Sequence, residues 1–281
     1  REKPYVNSAS VKNTGWEFLV NYRKQLTKDF SIDATLNLST LKNEVLSLGD
    51  NVQPITSGAM SSSFSDSPSI TKPGEAIGSF YGYKINGFDA DGNFIFADTD
   101  NSGSVDANDK VILGNPIPDF SYGLNLTMSY KDFDLTMFFQ GVQGNEIFNQ
   151  KKYTYYFDYS NNCVTDVLNA WTKNNQNTNI PIMKTQNTDG GNSLPSEFYI
   201  EDGSYFRCKN LQLGYNFPKS ILNKISFNKL RVYAGVQNLF TITNYSGYDP
   251  EVSSNALFSR GIDSASYPNA RTFTFGFNAS F

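Results

Sequence analysis

The chain has 281 residues, a net charge of −4 and no histidine, and only 39 % of its residues are hydrophobic although 15 % are aromatic. Mild acidity without a basic stripe argues against a nucleic-acid role, and the missing histidine removes Ser-His-Asp and Cys-His catalytic constellations. No run of 18 apolar residues offers a helical membrane span, which leaves membrane strands open.

Seven stretches alternate apolar and polar residues at period two, the pattern of a strand with two different faces. The first, Trp16 to Arg23, sets Trp16, Phe18, Val20 and Tyr22 against Glu17, Asn21 and Arg23. The second, Phe30 to Ser39, sets Phe30, Ile32, Ala34, Leu36 and Leu38 against Ser31, Asp33, Thr35, Asn37 and Ser39. A short polar link joins them into a predicted hairpin.

A long segment rich in Ser, Gly, Asp and Pro follows, from Thr40 to Asp119. Within it, residues 98–109 match a twelve-position calcium loop. Asp98 and Asp100 take positions 1 and 3, Ser102 position 5, Gly103 the sharp turn, and the Ser104 carbonyl position 7. Asp106 falls at 9 and Asp109 at 12, where Glu is usual. Gly92 to Phe96 and Val111 to Leu113 read as extended, so the expectation is a structural calcium clip without EF-hand helices. An acidic turn loop that needs no ion is the alternative, because Asp, Asn, Ser and Gly all favour turns.

Strands three and four form a second hairpin about a turn at Lys131 and Asp132. Tyr122, Leu124, Leu126, Met128 and Tyr130 continue into Phe133, Leu135, Met137 and Phe139 on one face. Asn125, Asp134 and Gln140 lie on the other, which Phe138 interrupts. The next segment, Gly141 to Gly203, holds an aromatic cluster at Tyr153, Tyr155, Tyr156 and Tyr159 and a predicted short helix from Asp166 to Trp171. The tyrosines suit an interface girdle, a substrate-stacking platform or plain loop packing.

Strand five, Ser204 to Phe217, is the least regular. Strand six, Leu230 to Gln237, puts Arg231, Tyr233 and Gln237 on its polar side, and a third long segment leads to strand seven, Ala270 to Phe281. There Phe273, Phe275, Phe277 and Phe281 oppose only small uncharged residues. Cys163 and Cys208 match neither a zinc pattern nor a disulfide scaffold, and their pairing is open.

The connections alternate short and long, as in transmembrane barrels, where short turns are periplasmic and long loops external. Spans near ten residues suit a tilted crossing. The fold expected is therefore all-β, an antiparallel transmembrane barrel. Its external loops are expected at about 40–119, 141–203 and 240–269. Seven strands cannot close a barrel, so further strands are expected to complete it. The lumen-facing candidates are Glu17, Asn21, Arg23, Asp33, Asn125, Asp134, Gln140, Arg231, Tyr233 and Gln237. A soluble or surface glycan-binding all-β module with a calcium-stabilised loop is the rival reading.

Ordered blocks along nearly the whole chain carry a resemblance. They include Val11-Lys-Asn-Thr-Gly-Trp-Glu, Gly78-Ser-Phe-Tyr-Gly-Tyr-Lys, the acidic loop, Gly114-Asn-Pro-Ile-Pro-Asp-Phe and Tyr130-Lys-Asp-Phe-Asp-Leu. Glu201-Asp-Gly-Ser-Tyr-Phe-Arg-Cys-Lys-Asn, Gln237-Asn-Leu-Phe, Tyr245-Ser-Gly-Tyr-Asp-Pro-Glu and Arg271-Thr-Phe-Thr-Phe-Gly-Phe continue the series. The set resembles the C-terminal portion of SusC/RagA-like TonB-dependent outer-membrane transporters of the Bacteroidota, departing from it at Trp16 and Cys208. The resemblance implies the last seven or eight strands of a 22-stranded barrel around a plug. It also implies import of oligosaccharides or oligopeptides, energised through TonB, with a SusD-like surface lipoprotein and a dimer of such transporter–lipoprotein pairs.

Overall fold

In the computed structural model the seven alternating stretches become one antiparallel sheet. The structure describes residues 9–49, 52–58, 66–158, 162–184, 191–224, 226–252 and 257–281. The sheet strands are β1 (Glu17–Gln25), β2 (Phe30–Thr40), β3 (Phe120–Tyr130), β4 (Phe133–Gln143), β5 (Tyr205–Asn216), β6 (Lys229–Thr243) and β7 (Thr272–Ser280). Each pairs with its sequence neighbours in an unbroken meander.

Cross-strand partners share a face, so the register sorts the side chains. One row runs Val20, Leu36, Leu124 and Phe139, and another runs Tyr22, Ala34, Leu126, Met137, Leu211, Val236 and Phe273. This apolar face lies open, with Phe273, Phe275 and Phe277 each more than 60 % exposed. Aromatic rings gather at both ends of its strands. Tyr122 stacks on Phe206 at one end of β3, while Tyr130 meets Phe30 at the other. Eight residues separate Tyr122 from Tyr130, which is about 26 Å along the strand and about 20 Å along the barrel axis at ordinary tilt. That height approaches the apolar band of a membrane barrel.

Gly141 shows how tightly this face packs. A Cβ there would sit 2.4 Å from the Tyr205 carbonyl oxygen and 2.5 Å from the Tyr122 ring, which lies across the glycine. Gly141→Ala should therefore cost about 1–3 kcal/mol in overpacking; urea unfolding of the full-length protein in detergent checks this, and an unchanged midpoint would contradict it.

Strand five is irregular for a definite reason. Between Cys208 and Asn210 it carries one more residue than β4, a bulge at Lys209. Side-chain parity flips there: Tyr205 and Arg207 share the polar face with Asn210, Gln212 and Gly214, while Phe206 and Cys208 share the apolar face with Leu211 and Leu213. Opposite the bulge, β6 accommodates Asn238 and Leu239 with Asn238 in a left-handed conformation (φ 52°). Strand six thus continues past its expected end at Gln237, through Phe240 to Thr243.

The long connections, expected as loops, are themselves folded. The first contains the strands Lys42–Ser47, Ile55–Ser57, Ser69–Thr71, Ser79–Gly82, Ile85–Phe88, Phe94–Phe96 and Val111–Gly114. The second contains the strand Glu146–Asn149, which pairs with Ile200–Asp202 and, in parallel, with Ile262–Asp263 of the third. Phe80, Phe94, Phe148, Tyr156, Phe157, Ile180, Tyr199 and Ile262 form one buried core drawn from all three connections. The hydrophobic core therefore lies in the connections, because the sheet presents its own apolar face outward.

The helix expected over Asp166 to Trp171 is a 3-10 turn, Thr165–Asn169. Ala170 is extended, and Trp171 instead donates its amide to the Ile180 carbonyl and is buried. The helix α1 forms at Lys151–Tyr156 and carries three of the tyrosines.

Candidate functional site

The polar face is a sheet of small amides and hydroxyls with paired charges. The register puts Glu17, Asn21, Arg23, Asp33, Asn125, Asp134, Gln140, Arg231, Tyr233 and Gln237 on this one face. Leu19 and Phe138 share it as apolar exceptions. Toward the short-turn end, Arg231 forks onto Asp134 with contacts of 3.0 and 2.5 Å, and Asn216 completes the carboxylate at 3.0 Å. Arg23 pairs with Asp33 across the first hairpin. That pair is exposed and contributes little to stability.

At the other end of the face the third connection folds back onto the wall. Arg207, 2 % exposed, donates from one terminal nitrogen to Asp249 at 2.5 Å and from the other to Glu251 at 2.6 Å. Its Nε meets the Thr241 hydroxyl at 2.8 Å. Lys209, turned to the same side by the bulge, reaches Glu251 at 2.8 Å, and Gln140 donates to Glu251 at 2.9 Å. Asn269 donates its side-chain amide to both carboxylates at 3.0 Å. Burial pushes the Asp249 carboxyl up, but the Arg207 fork and the amides of Asn269 and Glu251 outweigh it and hold the group below its usual range.

A second charged cluster lies within the connections. Lys151, on the first turn of α1, pairs with buried Asp263 at 3.2 Å and sits 3.9 Å above the Tyr248 ring. Tyr245 donates its hydroxyl to Asp263 at 2.5 Å, and burial together with this bond drives the phenol pKa up. Of the tyrosine cluster, Tyr156 is buried against Phe157 and Phe198, and Tyr155 lies 3.4 Å from the Tyr248 hydroxyl. Tyr153 packs against the same core, and Tyr159 lies outside the described residues. Cys163 is exposed, Cys208 is buried, and both thiols are free.

In the acidic loop, one carboxylate oxygen from each of Asp98, Asp100 and Asp109 falls within 4.8 Å of the others. Gly103 makes the turn at φ 90°, a conformation that an L side chain adopts only under strain. Asp109 is fully buried, and the amides of Asp106, Thr99 and Asp100 hold its carboxyl below the usual range. Asp106 stands apart from the triad, capping the 3-10 turn Ala107–Asp109 by accepting from the Asn108 amide at 2.7 Å. The Ser102 hydroxyl donates to the Ser104 carbonyl at 2.9 Å. Three convergent carboxylates form an all-oxygen set of the kind that calcium takes.

Sequence reasoning missed the Arg207 clamp. Both of its halves lay within recognised blocks, but nothing local links Arg207 to Asp249 or Glu251.

No family model matches the chain. A TonB-dependent receptor of Formosa agariphila is 37 % identical over 299 residues, covering 98 % of this chain and 29 % of its own length. The TonB-dependent receptor SusC of Bacteroides thetaiotaomicron is 31 % identical over 284 residues, covering 98 % of this chain and 27 % of its own. The chain thus spans less than a third of these relatives. Among solved structures, the RagAB peptide transporter superposes with a TM-score of 0.79 at 24 % identity over 98 % of this chain and 29 % of that one, which establishes the shared fold. With two-faced strands, aromatic ends and this similarity together, the chain is a C-terminal portion of a SusC/RagA-like TonB-dependent receptor, an antiparallel β-barrel of the outer membrane.

Proposed function

We propose that this chain supplies part of the wall and the external roof of a conduit that imports oligomeric nutrients, oligosaccharides or oligopeptides, across the outer membrane. Energy reaches the whole protein through TonB, and a SusD-like surface lipoprotein is its partner. The observation that carries the reading is the contrast between the two faces of one sheet. The outer face is apolar and ringed, whereas the inner face is mostly amides and hydroxyls, with charges paired as Arg23–Asp33, Arg231–Asp134 and Arg207 with Asp249 and Glu251. In this reading the ten polar-face residues from Glu17 to Gln237 line the lumen, and the three long connections are extracellular. The relatives that share this portion are TonB-dependent receptors, and the solved neighbour of the same fold is a peptide transporter.

Deleting the gene for the full-length receptor should abolish uptake of one class of labelled oligomer by intact cells, and restoring it should return that uptake. Unchanged uptake of every oligosaccharide and oligopeptide tried would overturn the proposal.

A structural calcium ion belongs to the same reading, held by Asp98, Asp100 and Asp109 with the Ser104 carbonyl. Calorimetry on the metal-stripped full-length receptor should show saturable calcium uptake that Asp100→Asn weakens on the order of tenfold or more, given the dependence of affinity on ligand charge. Asp106→Asn should leave the affinity nearly unchanged. Equal losses from both substitutions would contradict this ligand set, and no heat in the parent would remove the ion.

A further inference from the structure

Among its described residues, the connection between β6 and β7 is fastened at several points, mostly through buried groups. Near its start Tyr245 is bound to Asp263, and Ser246 donates to Glu201 from its amide at 2.8 Å and its hydroxyl at 2.9 Å. Glu201 is in turn paired with Lys152 at 2.9 Å. Three and five residues on, Asp249 and Glu251 sit in the Arg207 clamp on the barrel wall. Farther along, the Ser69 hydroxyl of the first connection donates to the Phe258 carbonyl at 2.6 Å. The Phe148 amide of the second donates to the Gly261 carbonyl at 3.0 Å. Lys151 holds Asp263, and Asn269 returns to Asp249 just before β7 begins.

We propose that this connection is a fixed strut. It locks the three long connections to one another and to the wall, and it stays closed through the working cycle. The second half of this statement rests on the import reading; the mechanical half does not. The physical reason is that a swing outward must separate Arg207 from Asp249 and Lys151 from Asp263 together, since both carboxylates lie on the same segment. Each separation strips charge-assisted bonds from groups less than a tenth exposed. Flaps that move are drawn from segments with few buried contacts, and this one is the opposite.

Hydrogen exchange on the full-length receptor in detergent tests the mechanical half. Peptides covering 244–252 and 257–269 should exchange as slowly as those from β5 and β6. Arg207→Ala, or the milder Glu251→Gln, should speed exchange in those peptides and in 146–149 together. Exchange in wild-type 244–252 and 257–269 on the order of tenfold or more faster than in the β5–β6 ladder overturns the strut.

The functional half is tested by joining the connections through Gln150→Cys and Ser264→Cys in a Cys163→Ser background with a short, reducible bis-thiol cross-linker, the native side chains meeting through a 2.9 Å hydrogen bond. Uptake should be the same before and after cross-linking. Uptake lost on cross-linking and regained on reduction means that the connection moves, and overturns the proposal. Lack of uptake by the wild-type receptor counts against the import reading alone, and the exchange result then decides the strut.

Discussion

Arg207→Ala should loosen the β6–β7 connection by about 3–5 kcal/mol, the usual cost of stripping one partner from a buried ion pair. The loss arises because Asp249, 7 % exposed, keeps its charge with no cation against it, while the Thr241 hydroxyl also loses a donor. Lys209→Ala is the control. Its ammonium reaches the same Glu251 but is a quarter exposed, so screening reduces its loss to about 1 kcal/mol or less. Tryptic cleavage of the connection across a urea series, on full-length receptor in detergent, reads both. Equal effects would show that Arg207 is no more than a surface charge.

The same clamp has a defined pH response. Because the folded Asp249 carboxyl titrates below its unfolded counterpart, its contribution is fully present above the ordinary carboxylate pKa of about 4 and is lost as pH falls through the lower folded value. The connection should therefore stay protease-resistant at pH 5 and loosen only in stronger acid. In Asp249→Asn that acid limb should flatten.

Two adjacent residues of β3 should respond oppositely to the same substitution. Leu126 lies midway between the ring-bearing ends Tyr122 and Tyr130 on the apolar face, whereas Thr127 faces the polar side and a cavity it lines with Ser129 and Arg23. Leu126→Arg should cost about 2–4 kcal/mol, the penalty for a cation at the lipid midplane, and Thr127→Arg about 1 kcal/mol or less. Urea titration of full-length receptor folded into vesicles measures the difference. If Thr127→Arg proves the more damaging, the faces have been assigned the wrong way round.

The strands were readable because each is encoded by neighbours. Phe18, Val20 and Tyr22 against Glu17, Asn21 and Arg23 state two faces within eight residues, and a two-residue turn such as Lys131-Asp132 leaves β3 and β4 only one way to pair. Strand five was harder because the bulge at Lys209 flips parity midway. Period-two reading then finds Arg207 in phase with Leu211 when the two face opposite ways. The acidic loop was legible by spacing, but spacing could not tell that Asp106 caps a turn while Asp109 is driven inward. The tyrosines likewise left three readings open until α1 set Tyr156 into the aromatic core and left Tyr155 beside Tyr248.

By itself, then, the amino-acid sequence determined the seven strands, their order and, outside strand five, their two faces. Backbone pleat and short turns impose all of these over a few residues. Only the tertiary structure decided that the long connections share one hydrophobic core. It alone decided which carboxylates converge, and that Arg207 and Lys151 clamp one segment to its surroundings. Those partners are 42 and 112 residues apart; a buried cation is stable only where folding delivers its counter-charge, and no local pattern records that meeting.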